Sequence, residues 1–242
     1  WGEGAGAARR GMVIHEAISD FLRAYPDALP PDALAELLRL GHAHFAAVLG
    51  DPAVFSFWWP RFERIADWLV EQERQQRPGI AHIHAEIEGR IALSIADAAF
   101  HLTCRADRVD VLKDGTVRII DYKTGAVPSA REVRAGLAPQ LTLQAAILAR
   151  GGFTAVAPME VSAVSYVKLS GGDPAGEDKG PDLGADLPQV VAQHVAGLVK
   201  LIAAYRNADQ PYLPRTVMKH EDDASDYDHL SRYREWILAG DG

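Results

Sequence analysis

The sequence predicts a single α/β domain with a helical N-terminal extension, and three observations carry that expectation. Apolar residues recur at helical spacing through roughly the first eighty positions. The next forty or so alternate or are rich in β-formers, with Asp114-Gly115 as a hairpin signal between two of the runs. Helix, strand and helix then follow in turn. The core has material to draw on, because 48% of the 242 residues are apolar and 24% charged.

Met12, Ile14, Ala17, Ile18, Phe21 and Leu22 mark the first helix, which Pro26 closes. Pro30-Pro31-Asp32 opens a second helix that runs through Leu34, Leu37, Leu38, Phe45 and Val48 to Gly50. A third covers about 51–76, with Pro60 kinking or dividing it. Strands are predicted over 80–93, 100–112 and 117–122. Helices return over 130–136 and 139–150, followed by a strand over 161–169 and a helix over 187–205. Residues 171–184 read as a polar, Gly-rich, mobile loop, and 226–238 as a short terminal helix. One domain over 1–242 is expected: a helical part at about 8–77, a core at about 80–206 and an acidic tail at about 207–242.

Composition excludes several classes. Cys104 is the lone cysteine, so the chain can make neither an internal disulfide nor a four-cysteine cluster. No apolar run approaches the ~18 residues of a membrane span, and no signal segment is seen, so a cytoplasmic setting without membrane partners is expected. The start at Trp1 reads as a piece of a longer protein. The net charge of −8 argues against a basic nucleic-acid clamp. Yet Asp173, Glu177, Asp178, Asp182 and Asp186 against Lys179 account for half of it. Glu221, Asp222, Asp223, Asp226, Asp228, Glu235 and Asp241 against Lys219, Arg232 and Arg234 account for the other half. The body is neutral, and DNA remains open as a partner.

Chemistry concentrates in Arg105-Ala106-Asp107-Arg108-Val109-Asp110 and Ile119-Ile120-Asp121-Tyr122-Lys123-Thr124-Gly125. Strand alternation points Asp121 and Lys123 to one face and Tyr122 to the other. A carboxylate can hold a hard cation while the ammonium orients a water or steadies phosphate charge. Loop length sets the register. A two-residue turn puts Asp107 across from Tyr122, on the wrong face. A three-residue loop, Lys113-Asp114-Gly115 with Gly115 left-handed, puts Asp107 across from Asp121, about 5 Å away. The second register is the one expected.

These residues closely resemble the PD-(D/E)xK nuclease superfamily, and most of all the C-terminal nuclease domain of AddB/RecB-type helicase–nucleases of double-strand break repair. Gly11-Met12-Val13-Ile14-His15 resembles that family's G-x-x-x-H helix motif, and Glu86-Ile87-Glu88-Gly89 its strand acid. Ala106-Asp107-Arg108-Val109-Asp110 and Ile120-Asp121-Tyr122-Lys123-Thr124-Gly125 resemble its two core motifs. Pro139-Gln140-Leu141 is similar to its Q-L helix, and Asp226-Tyr227-Asp228-His229-Leu230 to a tail found in some members. The resemblance implies a restriction-endonuclease-like core, a mixed central sheet flanked by helices. It also implies a Mg²⁺-dependent deoxyribonuclease, acting as an exonuclease on single-stranded ends beside an AddA-type helicase–nuclease partner. His15, Asp107, Asp121 and the Tyr122 carbonyl would ligate Mg²⁺ or Mn²⁺, with Glu86 in or beside the metal shell as a catalytic acid. Lys123 would position the water, and Gln140, Arg108 and Thr124 would contact DNA. The sequence departs from the family pattern twice. Gln144 stands where the Q-L helix often carries tyrosine, and a single cysteine excludes the iron–sulfur cluster of many AddB domains.

Other readings of the same residues stand beside this one. His15 lies on a largely apolar helix face, where a core histidine is ordinary. His82, His84 and Glu86 alternate along one strand face and offer a zinc set for a different hydrolase. Trp58, Trp59, Trp68 and Trp236 could stack on bases or fill a core. The same fold stripped of activity would be a docking module for DNA or a partner.

Overall fold

A computed structural model describes residues 3–48, 52–95 and 97–206. Three helices come first: α1 (Glu3–Ala24), α2 (Ala33–Val48) and α3 (Pro52–Gln76). Their apolar stripes form one core, in which Val13, Ile18, Phe21 and Leu22 of α1 meet Leu37 and Phe45 of α2 and Phe62, Ile65 and Leu69 of α3. Pro60 lies inside α3 without dividing it.

The chain then enters a five-stranded mixed sheet. β1 (Ile80–Ile95), β2 (Ala98–Leu112) and β3 (Val117–Lys123) form an antiparallel meander. A crossover through α4 (Ala130–Arg134) and α5 (Gln140–Ala149) brings β4 (Val161–Leu169) back parallel to β3. A Ser129–Glu132 capping box starts α4. β5 (Gly176–Asp178) pairs antiparallel with β4, and the sheet order is β1-β2-β3-β4-β5. α6 (Leu187–Arg206) follows.

The period-two pattern assigns the faces. Ile83, Ala85, Ile120, Tyr122, Val167 and Leu169 turn to the three-helix core. Asp121, one residue from both Ile120 and Tyr122, therefore turns to the side where Gln140 opens α5.

One expectation needs correction. Residues 171–184 are not simply loop, because 176–178 pair with β4 and the Ser165 hydroxyl donates to the Asp178 carboxylate. The N–H groups of Ser170 and Gly171 both donate to the Ala175 carbonyl and close a tight turn there. Residues 184–205 are long and apolar enough on average to pass for a membrane span by length and composition. Gln189, Gln193, His194 and Lys200 interrupt that segment, so it shows no unbroken apolar run. By its contacts the chain divides into Trp1–Leu198, which holds the sheet, and Val199–Gly242, described only through the end of α6. The expected acidic tail at 207–242 and terminal helix at 226–238 lie outside the described residues.

Candidate metal centre

The site begins with a turn. The Leu112 N–H donates to the Thr116 carbonyl at 2.9 Å, and the Gly115 N–H donates to the Leu112 carbonyl at 3.1 Å. Residues 113–115 thus form a three-residue loop, and Gly115 has φ +88°, a conformation that costs other residues about 1–2 kcal/mol. Asp114 accepts from the Thr116 N–H and hydroxyl and braces the turn. The rungs above it pair Val109 with Ile119 and Arg108 with Ile120. The β2–β3 ladder ends at that rung; beyond it the Tyr122 N–H donates to Asp107 Oδ2 at 2.9 Å, with the Asp121 carboxylate near enough to raise the Asp107 pKa.

The neighbouring hairpin extends the row. Ala85 pairs with Arg108 and Ile87 with Ala106, so the rung between them sets Glu86 against Asp107. Glu86 has φ 55°, left-handed for a non-glycine residue inside a strand. Glu86, Asp107 and Asp121 therefore occupy one row across three adjacent strands. From α1, His15 Nδ1 comes within 3.6 Å of Asp107 Oδ2. The ligand atoms of His15, Glu86 and Asp107 all lie within 4.8 Å of one another. Gly11, one turn before His15, lies where an added Cβ would come 2.8 Å from Thr124 Oγ1, so the bare backbone lets α1 approach the end of β3.

Asp121 adjoins this cluster and turns toward α5. Its Oδ1 accepts from Gln140 Nε2 at 2.6 Å, and Lys123 Nζ lies 2.6 Å from its Oδ2. Lys123 Nζ also donates to Gln140 Oε1 at 3.2 Å, so acid, lysine and amide form a closed triangle. Oδ2 is buried and has the ion pair without a hydrogen bond of good geometry. Burial and the Asp121 carboxylate push the Asp107 pKa up to about 6, with Glu86 adding to the rise. His15 and the Tyr122 N–H oppose it.

A hard divalent cation suits these donors. The cluster offers carboxylate oxygens and one imidazole nitrogen, the donor types of magnesium and manganese sites. Burial first, and the Asp121 and Glu86 carboxylates after it, raise the Asp107 pKa, and Asp121 Oδ2 is buried without a hydrogen bond of good geometry.

Other predicted residues go elsewhere. Arg108, expected on DNA, is fully buried on the opposite face. There it pairs with Asp110 at 2.6 Å and with Glu73, and donates to the Tyr122 phenol at 3.1 Å. Alternation along β2 points it away from Asp107, so it cannot reach a strand bound at the acids. The Tyr122 side chain leaves with it, while its backbone N–H stays at the acid row. Thr124 is half-buried beside α1. The zinc set does not converge: His82 pairs with Asp27 at 2.6 Å, and Glu86 turns to Arg105. Burial and His82 hold His84 below the usual histidine range. Trp58, Trp59 and Trp68 pack against the helical core, and Trp236 lies outside the described residues.

Sequence reasoning missed a buried charge network that ties α3 to the sheet. Glu73 accepts from Arg77 and Arg108, while Asp110 accepts from Arg108 and Arg118. One signal was available, a glutamate on the apolar stripe of α3 four residues after Leu69. Arg105 opens the stretch where chemistry concentrates but was given no role at the site; its guanidinium pairs with Glu86.

An uncharacterised protein of Rickettsia bellii is 23% identical over 208 residues, covering 81% of this chain and 25% of that protein. One of Rickettsia typhi is 27% identical over 167 residues, covering 66% of this chain and 19% of that protein. The chain thus spans about a quarter or less of the length of these relatives. Among solved structures, that described as the crystal structure of SSO0001 aligns with a TM-score of 0.32 at 11% identity, over 81% of this chain and 76% of that one. The family model described as the PD-(D/E)XK nuclease superfamily matches residues 2–218, which include the whole acid row, Lys123 and Gln140. With that match and a mixed sheet carrying Asp107, Asp121 and Lys123 on one face, the chain belongs to the PD-(D/E)XK nuclease superfamily.

Proposed function

We propose that the chain is a Mg²⁺- or Mn²⁺-dependent deoxyribonuclease that hydrolyses phosphodiesters at single-stranded DNA ends. The observation that carries this reading is the row Glu86–Asp107–Asp121, flanked by His15 on one side and the Lys123–Gln140 pair on the other. His15, Glu86, Asp107 and Asp121 would hold the cation, which when bound polarises a phosphate and acidifies a water. Lys123 is half-buried with its ammonium at the Asp121 carboxylate, placed to align a water or to meet charge developing on a phosphate oxygen. Gln140 holds Asp121 and Lys123 in fixed relation by accepting from Lys123 Nζ and donating to Asp121 Oδ1.

The order of six short motifs along the sequence supports a finer assignment. In this reading the chain is the nuclease part of an AddB/RecB-type helicase–nuclease, working in the cytoplasm with an AddA-type partner in double-strand break repair, without an iron–sulfur cluster. The Rickettsia relatives, several times longer than this chain, leave room for motor segments.

The test is cleavage of a labelled single-stranded oligonucleotide in Mg²⁺ or Mn²⁺ and in chelator. Wild type should cut only with metal. Asp121→Asn should abolish cutting, and Lys123→Ala should lower it by about 10²–10³, both retaining the wild-type circular dichroism spectrum. A folded wild type inert with every divalent cation would leave a docking module in place of an enzyme.

A further inference from the structure

Each acid of the row has a basic companion: Glu86 has Arg105, Asp107 has His15, and Asp121 has Lys123. Two of these companions already have roles in the nuclease reading. Arg105 does not. It lies two residues before Asp107 on β2, on the same sheet face, and its side chain is 63% exposed while that of Glu86 is 13% exposed. The ladder places Glu88, itself exposed, directly across from Arg105. The guanidinium passes over that neighbour and reaches diagonally to the more enclosed Glu86. Gln144 Nε2 donates to the Arg105 carbonyl at 3.2 Å, so the backbone is anchored while the side chain stays open to solvent.

We propose that Arg105 is a phosphate-binding residue of this site, whose guanidinium exchanges the Glu86 carboxylate for a phosphate oxygen of the bound strand when a divalent cation takes Glu86. The inference rests on the nuclease reading. A carboxylate engaged by a cation holds a guanidinium less strongly, and cation and guanidinium repel at short range. The released group is a planar fork of donors that fits two phosphate oxygens, at the rim where a strand arrives. Glu88 is the competing destination, and the experiment separates the two.

The full chain is compared with Arg105→Ala and Arg105→Lys. Titrated with Mn²⁺ alone by calorimetry, Arg105→Ala should bind the ion at least as tightly as wild type, because a competitor for Glu86 is gone. For a single-stranded oligonucleotide in Mg²⁺, its KM should rise about tenfold with kcat nearly constant, and Arg105→Lys should recover part of the loss. The log–log salt slope of oligonucleotide binding should be shallower by about 0.7. Unchanged KM and slope would show that Arg105 stays with a carboxylate, Glu86 or Glu88, and would overturn the proposal. Weakened Mn²⁺ binding would overturn it too, by making Arg105 a support for Glu86. If wild type fails to cut, the nuclease reading falls, and the salt slope in Mn²⁺ still decides the role of Arg105.

Discussion

Asp107 is largely enclosed beside Asp121 and Glu86, and burial first, then those carboxylates, raise its pKa to about 6, which makes stability depend on pH. The folded-state value lies above the ordinary 3.8, so the fold binds this proton more tightly than the unfolded chain does. The favourable contribution is present below about pH 4 and is lost as pH rises through about 6. In chelator, Asp107→Asn should therefore gain on the order of 1–3 kcal/mol over wild type at pH 8 and close to nothing below pH 4. Asparagine keeps an oxygen to accept the Tyr122 N–H, so the comparison isolates charge. Urea unfolding across that range measures it, and parallel curves for the two proteins would refute the cause assigned here. The meeting of Asp107 with Asp121 was legible in the sequence because strand alternation and a three-residue loop are local rules. Glu86 was found by motif alone, since nothing local reveals its φ of 55° or its place across from Asp107. Arg108 was misread although it was legible, because the alternation that puts Asp121 and Lys123 on one face turns residue 108 away from Asp107.

At the scale of elements, the helices of the N-terminal part and four of the five strands follow from spacing and punctuation. β5 does not, since three residues that include Glu177 and Asp178 carry no periodic signal, and pairing with β4 makes them a strand. The junction of α3 with the sheet was equally hidden. It depends on Glu73 and Asp110, both essentially inaccessible, shared among Arg77, Arg108 and Arg118. Such a network is costly to break by halves, because removing one partner strands the others in low dielectric. Arg108→Met should destabilise the fold by roughly 3–5 kcal/mol, leaving Glu73 and Asp110 short of a cation. Arg118 is 19% exposed, so solvent can replace part of what it gives, and Arg118→Met should cost less. Denaturant midpoints at constant slope test the order. Equal costs would mean that the network is not centred on Arg108.

The whole molecule carries its chemistry on a surface that does little to attract DNA. Its net charge of −8 comes from the acids of 171–188 and 219–242, and the remainder is neutral. Several cations are also committed elsewhere: Arg108 and Arg77 are buried in the α3 network, and Arg134 is held by Asp186 and the Asp182 carbonyl. Non-specific affinity scales with the phosphates a protein neutralises, about 0.7 in log–log salt slope per contact on single strands. Arg105 and Lys123 at the acid row supply two such contacts. The full 242-residue chain should accordingly bind a single-stranded oligonucleotide weakly, with a slope no steeper than about −2. If the proposed helicase–nuclease assignment is right, joining it to a strand-capturing motor should speed cutting, because linkage raises the local concentration of strand at the site. A salt titration of oligonucleotide binding decides the point. Nanomolar affinity with a steep slope would reveal a DNA clamp on this chain and overturn the charge map, whereas micromolar affinity with a shallow slope would agree with it.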